Sequence, residues 1–130
     1  MPWKYSQKSH TLWHNGEVVS TVGYSGSGPG KNNPEMEKLR NIGPIPAGKW
    51  TISDKFRNTY DKKTNEVTRR NVLDLTFQGV KTPHDRNGFL IHGDNKKNNE
   101  SASEGCIILP LEVRRLIQAS GDYELEVVAE

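Results

Sequence analysis

Two stretches of the sequence each combine a short apolar run with a histidine or a cysteine: Phe89-Leu-Ile-His-Gly-Asp94 and Ser101-Ala-Ser-Glu-Gly-Cys-Ile-Ile-Leu109. The first pattern predicts a strand that ends at His92, and the second predicts a strand that begins at Cys106. If the two strands pair, the imidazole and the thiol meet at the same edge of one sheet. The polar loop between them would then lie over a site.

This pairing would suit nucleophilic catalysis. A thiolate is the reactive form of cysteine, and a neighbouring imidazole can take the proton from Cys106 near neutral pH. Gly105 would let the backbone approach a substrate closely and direct N–H groups at an oxyanion. A lone cysteine in an apolar run is also typical of a small buried side chain, and His92 could be a structural core histidine. The polar, glycine-flanked approach to the thiol favours the catalytic interpretation.

The N-terminal part of the sequence predicts a hairpin followed by an irregular segment. Asn15-Gly16 favours a tight type I′ turn between strands over residues 11–13 and 17–22. Residues 23–33, rich in glycine, predict a loop, and a short helix over residues 34–40 can open at a proline.

Three strands, one helix and a final strand are predicted beyond this point. The strands cover residues 49–52, 72–77 and 88–92, whereas the polar residues 55–70 have no assignable pattern. A helix opens at Pro110 and closes at Gly121, with one apolar face made by Val113, Leu116 and Ile117. Tyr123, Leu125 and Val127 alternate as the last strand. The chain is therefore expected to form a single, mainly β domain over residues 1–130, with one or two short helices.

Composition excludes several classes of function. The 130 residues are 32% hydrophobic and 26% charged, which is typical of a soluble globular protein. A net charge of +2 gives no support to a nucleic-acid partner, and a single cysteine rules out an intramolecular disulfide. Neither a membrane span nor a secretory signal is visible, so we expect a chain made in the cytoplasm without membrane insertion. A substrate outside the cytoplasm would require delivery by another component.

One glycine-rich loop is a weaker candidate for binding. Gly26-Ser-Gly-Pro-Gly30 followed by Lys31 lacks the spacing of a phosphate-binding loop. The same loop could line a substrate through Tyr24, Lys31 and Asn32, or it could be a plain structural turn.

Metal and cofactor binding are not expected. His10 and His14 are four residues apart, but no third ligand accompanies them, so no metal site and no cofactor are predicted. Lys62-Lys63 and Arg69-Arg70 predict a solvated loop that could attract an anionic glycan or a partner.

The joined motifs resemble a known family. Ile91-His92-Gly93 with Ser103-Glu-Gly-Cys-Ile107 is similar to the active-site signature of L,D-transpeptidase catalytic domains. A closer resemblance, running from about residue 3 to residue 128, is to the Tlde1 family of L,D-transpeptidase-like effectors of the type VI secretion system. It rests on Gly23-Tyr-Ser-Gly26, Gly30-Lys-Asn-Asn-Pro34, Asn41-Ile-Gly-Pro-Ile-Pro46, and the segments 88–94 and 101–110.

This resemblance implies an antibacterial enzyme that acts on the peptide stems of peptidoglycan. Cys106 would attack the carbonyl group of the third stem residue and expel the terminal D-alanine, and His92 would be the base. The resemblance further implies a periplasmic site of action in target bacteria, a secretion-system component that delivers the chain, and a periplasmic immunity protein.

The remaining site residues implied by the resemblance fall into two groups. Gly105, Gly93 and Asp94 are candidates for the oxyanion and orienting groups, and the group that orients His92 is either a backbone carbonyl or Asp94. Substrate-binding candidates are Ser103, Glu104, Tyr24, Lys31 and Asn32.

Two departures from the transpeptidase pattern bear on the outcome of the reaction. Glu104 replaces the usual histidine, and Ile108 replaces a polar residue, so hydrolysis or D-amino-acid exchange is expected over cross-linking. The alternatives are a papain-like peptidoglycan endopeptidase, in which the cysteine normally precedes the histidine, and a non-catalytic wall-binding module.

Overall fold

The computed structural model describes residues 2–86, 88–93 and 105–130. Within these residues the chain forms ten strands and one α-helix, so the mainly β prediction is confirmed. The helix is α1 (Leu111–Ala119). The strands are β1 (Trp3–Ser6), β2 (Leu12–His14), β3 (Glu17–Ser20), β4 (Tyr24–Ser25), β5 (Gly48–Ile52), β6 (Arg57–Tyr60), β7 (Val67–Phe77), β8 (Leu90–His92), β9 (Ile107–Ile108) and β10 (Glu124–Val128).

The strands follow the order β3-β2-β1-β10-β5-β7-β8-β9-β4, with β6 paired to β7 off this path. Most neighbours are antiparallel, but β1 pairs with β10 and β8 pairs with β9 in parallel. The last strand therefore lies beside the first, and the two strands that carry the candidate site are adjacent.

The predicted N-terminal hairpin is present as β2 and β3. Asn15 and Gly16 have φ angles of 52° and 80°, the positive values that a type I′ turn requires. The second strand ends at Ser20, two residues earlier than predicted.

Two predictions for the following segment are corrected. Residues 23–33 are not wholly loop, because Tyr24–Ser25 pairs with β9. The predicted helix over residues 34–40 reduces to a single 3₁₀ turn, Pro34–Met36, in which the Asn33 side chain accepts the Glu35 N–H. The high glycine content of this segment favoured a loop and gave no sign of the two-residue strand, whose side chains are both buried.

Residues 55–70, which showed no pattern, form most of a hairpin between β6 and β7. Their side chains are largely exposed on both faces, so hydrophobic alternation is missing. Asp61 shapes the turn by accepting the N–H groups of Lys63 and Thr64. The basic pair Arg69-Arg70 lies in β7 rather than in a loop.

The helix begins and ends as predicted, but its buried face differs. Val113 and Ile117 face the core, whereas Leu116 is 57% exposed. Arg114 is buried instead, because the face that contacts the sheet is rotated toward it. Leu125 and Val127 of the last strand are buried, as their alternation predicted.

The core extends across the middle of the sheet and under the candidate site. Trp50 contacts the rings of Phe77 and Phe89 edge-on, with ring centroids 5.3 and 5.1 Å away. Phe89 directly precedes β8, so this contact anchors the strand that ends at His92. None of the helices in the described ranges has the length and apolar character needed to cross a membrane.

Candidate active site

The strand pair β8–β9 brings the candidate base and nucleophile onto neighbouring strands. Ile91 is level with Ile107, and His92 is level with Ile108. The pairing is parallel, so His92 ends β8 while Cys106 lies just before β9. The two residues are thus offset along the strands rather than directly opposed. Since the strands are short, both functional groups still lie at this one part of the sheet.

The Cys106 thiol is half-buried and lies against the start of β8. Its sulfur accepts the Leu90 N–H at 3.4 Å and donates toward the Gly88 carbonyl at 3.8 Å. An N–H donated to sulfur stabilises a thiolate more than a thiol. The longer bond to the Gly88 carbonyl needs the S–H and favours the thiol, so the partly exposed sulfur has contacts that suit both of its forms.

His92 is buried, with an exposed fraction of 1%. Its Nδ1 atom lies 2.7 Å from the carbonyl oxygen of Gly93. A carbonyl accepts only, so Nδ1 carries a hydrogen, and in the neutral ring the lone pair is then on Nε2, the tautomer that a general base requires. A backbone carbonyl, one of the two alternatives left by the sequence, thus hydrogen-bonds the ring. Asp94, the other, lies outside the described residues.

A buried arginine supports the backbone at Gly93. A Cβ atom at Gly93 would lie 2.8 Å from Nη2 of Arg114. That guanidinium donates to three backbone carbonyls, those of Leu109, Arg70 and Asn71. Burial lowers the pKa of Arg114. The absence of a side chain at Gly93 lets this cation pack directly beneath the residue that orients His92.

A second buried arginine supports the backbone at Gly105. Gly105 has a φ of 121°, and a Cβ there would overlap Nη2 of Arg86. Burial lowers the pKa of the Arg86 guanidinium, whereas the charges of Glu37 and Cys106 act to raise it. Arg86 also stacks on Phe89 at 5.1 Å. Its hydrogen bonds go to the carbonyls of Glu37, Gly43 and Pro44.

Strand β4 borders the site on the other side of β9. Tyr24 is level with Ile108, and the Lys31 ammonium lies 5.4 Å from the centre of the Tyr24 ring. Asn32 is tied to β4, because its side-chain oxygen accepts the Ser25 N–H. The structure therefore places Tyr24 on the strand next to β9, with Lys31 against its ring and Asn32 bonded to the same strand, and their contact with a substrate stays a prediction. Ser103 and Glu104 lie outside the described residues.

Three residues of this site were missed by sequence reasoning: Ser25, Arg86 and Arg114. Charged side chains normally predict exposure, and nothing in the local pattern marked Arg86 or Arg114 as buried. Ser25 lies in the stretch Gly23-Tyr-Ser-Gly26, where the glycines suggested a loop. That quoted motif was the one available signal for Ser25.

His14, one of the two histidines considered as metal ligands, has other contacts. It pairs with Asp122 at 3.0 Å and stacks on Trp3. Among the residues that the structure describes, no group of three metal-binding side chains comes together.

Comparison with known proteins identifies the family. Residues 20–125 match the family described as the Tlde1 domain. No curated protein matches the chain. Among solved structures, it is similar to a crystal structure of Mycobacterium tuberculosis L,D-transpeptidase 1, with 18% sequence identity and a TM-score of 0.48. The similarity covers 97% of this chain and 60% of that chain, so this protein spans about three fifths of the other's length. Since the family match covers most of its residues, the chain belongs to the Tlde1 domain family.

Proposed function

We propose that this protein is a cysteine acyl-transfer enzyme that acts on the peptide stems of peptidoglycan. The observation that supports the proposal is the parallel pairing of β8 with β9: His92, buried and hydrogen-bonded to a backbone carbonyl, ends one strand, and the half-buried Cys106 lies just before the other. Membership of the Tlde1 domain family supports the choice of substrate.

In the proposed reaction, His92 takes the thiol proton and the Cys106 sulfur bonds to the carbonyl carbon of the third stem residue. The C–N bond to the terminal D-alanine then breaks, and the imidazolium returns the proton to the leaving amine. A thioester results. Water converts it to a tripeptide stem, which is a carboxypeptidase reaction, whereas the amine of a free D-amino acid converts it to an exchanged tetrapeptide.

The surroundings suit the other demands of this reaction. Backbone N–H groups around Gly105 are the proposed oxyanion donors, and Arg86 behind them supplies a fixed positive charge. Lys31, held near Tyr24, is a cation suited to a stem carboxylate. Tyr24, Lys31, Asn32, Ser103 and Glu104 remain the proposed substrate contacts.

Hydrolysis or exchange is proposed over cross-linking. Ile108 is buried in β9 between Tyr24 and His92, where the broader transpeptidase pattern has a polar residue. An apolar side chain at this position cannot hydrogen-bond an incoming second stem. A small acceptor, such as water or a free D-amino acid, needs fewer hydrogen bonds at the position of Ile108 than a second stem does.

We further propose that the protein is an antibacterial effector that acts in the periplasm of target bacteria. A secretion-system component would deliver it, and an immunity protein would protect the producer. Three forms test this proposal: the cytoplasmic chain, the chain with a cleavable signal peptide, and the exported Cys106→Ala variant. Only the exported wild type should cause lysis. Equal toxicity of both exported forms, or killing by the unexported chain, would contradict it.

Digestion of purified sacculi tests the enzymatic proposal. Muropeptides released after treatment should show loss of tetrapeptide stems and a gain of tripeptide or exchanged stems, identified by mass. Cys106→Ala treatment should leave the stems unchanged. Dimers linked through two third-position residues as the main product would contradict the acceptor assignment, and wall binding without any change in stems would favour a non-catalytic module.

A further inference from the structure

Ser25 has a buried hydroxyl that joins two distant segments at the candidate site. The residue is completely buried on β4. Its Oγ atom accepts the Ile45 N–H at 2.9 Å and donates to the Gly105 carbonyl at 3.1 Å. The hydroxyl thus has a donor on one side and an acceptor on the other.

The bond to Gly105 acts on the nucleophile through the peptide plane. The Gly105 carbonyl belongs to the peptide group that joins Gly105 to Cys106, and a peptide group is rigid. Glycine has the widest backbone freedom of any residue, so this position needs an external constraint. Holding the carbonyl oxygen fixes the orientation of the whole peptide and, with it, the direction in which the Cys106 side chain leaves the backbone.

The other partner of the hydroxyl is itself fixed. Arg86 donates to the carbonyls of Gly43 and Pro44, directly before Ile45. The Gln7 amide donates to the Ile45 carbonyl at 2.7 Å. Ser25 is therefore anchored to a rigid segment rather than to a surface loop.

We infer that Ser25 is a positioning residue for the Cys106 nucleophile, acting through its hydrogen bond to the Gly105 carbonyl. The inference rests on the part of the proposed function that makes Cys106 the nucleophile. It does not depend on the identity of the natural substrate.

The test compares Ser25→Ala with Ser6→Ala. Ser6 is also completely buried, and its hydroxyl accepts the Ser9 N–H at 3.1 Å, but it lies on β1, which is separated from β8 and β9 by other strands. The probe is p-nitrophenyl acetate, since the Cys106 thiolate bonds to its acetyl carbon while p-nitrophenolate leaves with the bonding electron pair. Thermal unfolding midpoints are measured for each form. D-alanine release from tetrapeptide stems gives kcat and KM.

Ser25→Ala should slow acylation by at least about tenfold, because small displacements of a nucleophile have large effects on rate. The loss should be in kcat more than in KM, and Ser6→Ala should acylate like the wild type even where its unfolding midpoint falls as far. Wild-type acylation by Ser25→Ala, or an equal loss in Ser6→Ala, would overturn the inference.

Ser25→Thr retains the hydroxyl and should keep most of the wild-type acylation rate. If Ser25→Ala does not fold, Ser25→Thr becomes the deciding variant. A Ser25→Thr protein that folds but is acylated no faster than Cys106→Ala would overturn the inference. The ester readout separates the two proposals. A wild type that is acylated by the ester but releases no D-alanine contradicts the proposed substrate and leaves the role of Ser25 in place.

Discussion

His92 is oriented by its own neighbour: the ring Nδ1 donates to the carbonyl of Gly93 across 2.7 Å. A backbone acceptor fixes the tautomer without adding a negative charge, unlike the aspartate of a serine-protease triad. The orientation of the ring therefore depends on the backbone geometry at Gly93, against which the Arg114 guanidinium packs.

Replacement of this base should slow reaction of the thiol. His92→Ala is expected to lower the rate of Cys106 alkylation by iodoacetamide at pH 7 by at least about tenfold, because most free thiol is protonated at that pH. At pH 10 the two rates should converge, since hydroxide then forms the thiolate. The measurement is the alkylation rate across this pH range. Equal rates at pH 7, or a deficit that persists at pH 10, would contradict a base role.

Gly105→Ala should be more damaging than a glycine replacement elsewhere. Gly121 is the matched control, since its φ of 74° is also positive but a Cβ there meets nothing within 4 Å. Gly121→Ala should cost about 1–2 kcal/mol of backbone strain. Gly105→Ala must also displace the Arg86 guanidinium, which should add about 1–3 kcal/mol. Denaturant unfolding measures both variants, and equal losses would show that Arg86 does not pack against Gly105.

Arg86 should contribute more to stability than an exposed ion pair. Arg86→Met removes the donor to three backbone carbonyls, each worth about 1–3 kcal/mol when left buried and unpaired. We expect a loss of at least about 3 kcal/mol in the free energy of unfolding. Arg57→Met is the control, because Arg57 forms a half-exposed bidentate pair with Asp74 that should contribute less than about 1 kcal/mol. Similar losses for the two variants would contradict the assignment.

Glu37 should make stability depend on pH in the acidic range. Burial raises the pKa of Glu37, but hydrogen bonds from the Ala47 N–H, the Gln7 amide and the His84 ring lower it, and the net pKa lies below its usual value. A carboxyl with a lowered folded-state pKa stabilises the fold above its unfolded pKa of about 4.3. That stabilisation is lost as the pH falls through the folded-state pKa.

Glu37→Gln removes this titration. The wild type should therefore exceed Glu37→Gln in free energy of unfolding at pH 6, and the difference should shrink progressively below about pH 4. Urea unfolding at a series of pH values measures the difference. A constant difference down to pH 3 would show that Glu37 does not contribute in its charged form.

The sequence predicted those parts of the fold that have a clear local pattern. The Asn15-Gly16 turn, the alternation of Leu125 and Val127, and the strand leading to His92 all reflect local rules for turns and half-buried strands. The outer part of the β6–β7 hairpin, within residues 55–70, had no such pattern because its side chains are largely exposed on both faces, whereas the buried end of β7 falls in the predicted strand over residues 72–77.

The sequence allowed the reactive residues of the candidate site to be predicted, but not the buried residues that surround them. Cys106 and His92 could be named because their chemistry is specific and glycines flank them. Ser25, Arg86 and Arg114 could not, since their roles arise from contacts across 40 or more positions of the chain with carbonyl groups that carry no residue-specific signal. The pairing of β8 with β9 was expected only on the condition that the two strands meet, and its parallel direction and register are tertiary features that no local pattern shows.

The most direct test of the central claim is release of D-alanine from a defined tetrapeptide stem by purified wild type and Cys106→Ala, with both forms shown to be folded by circular dichroism. If Cys106 is the nucleophile, the variant should lose at least about a thousandfold in rate. The wild type should release D-alanine or exchange it for an added D-amino acid. A folded Cys106→Ala that keeps a substantial part of the wild-type rate would contradict the account.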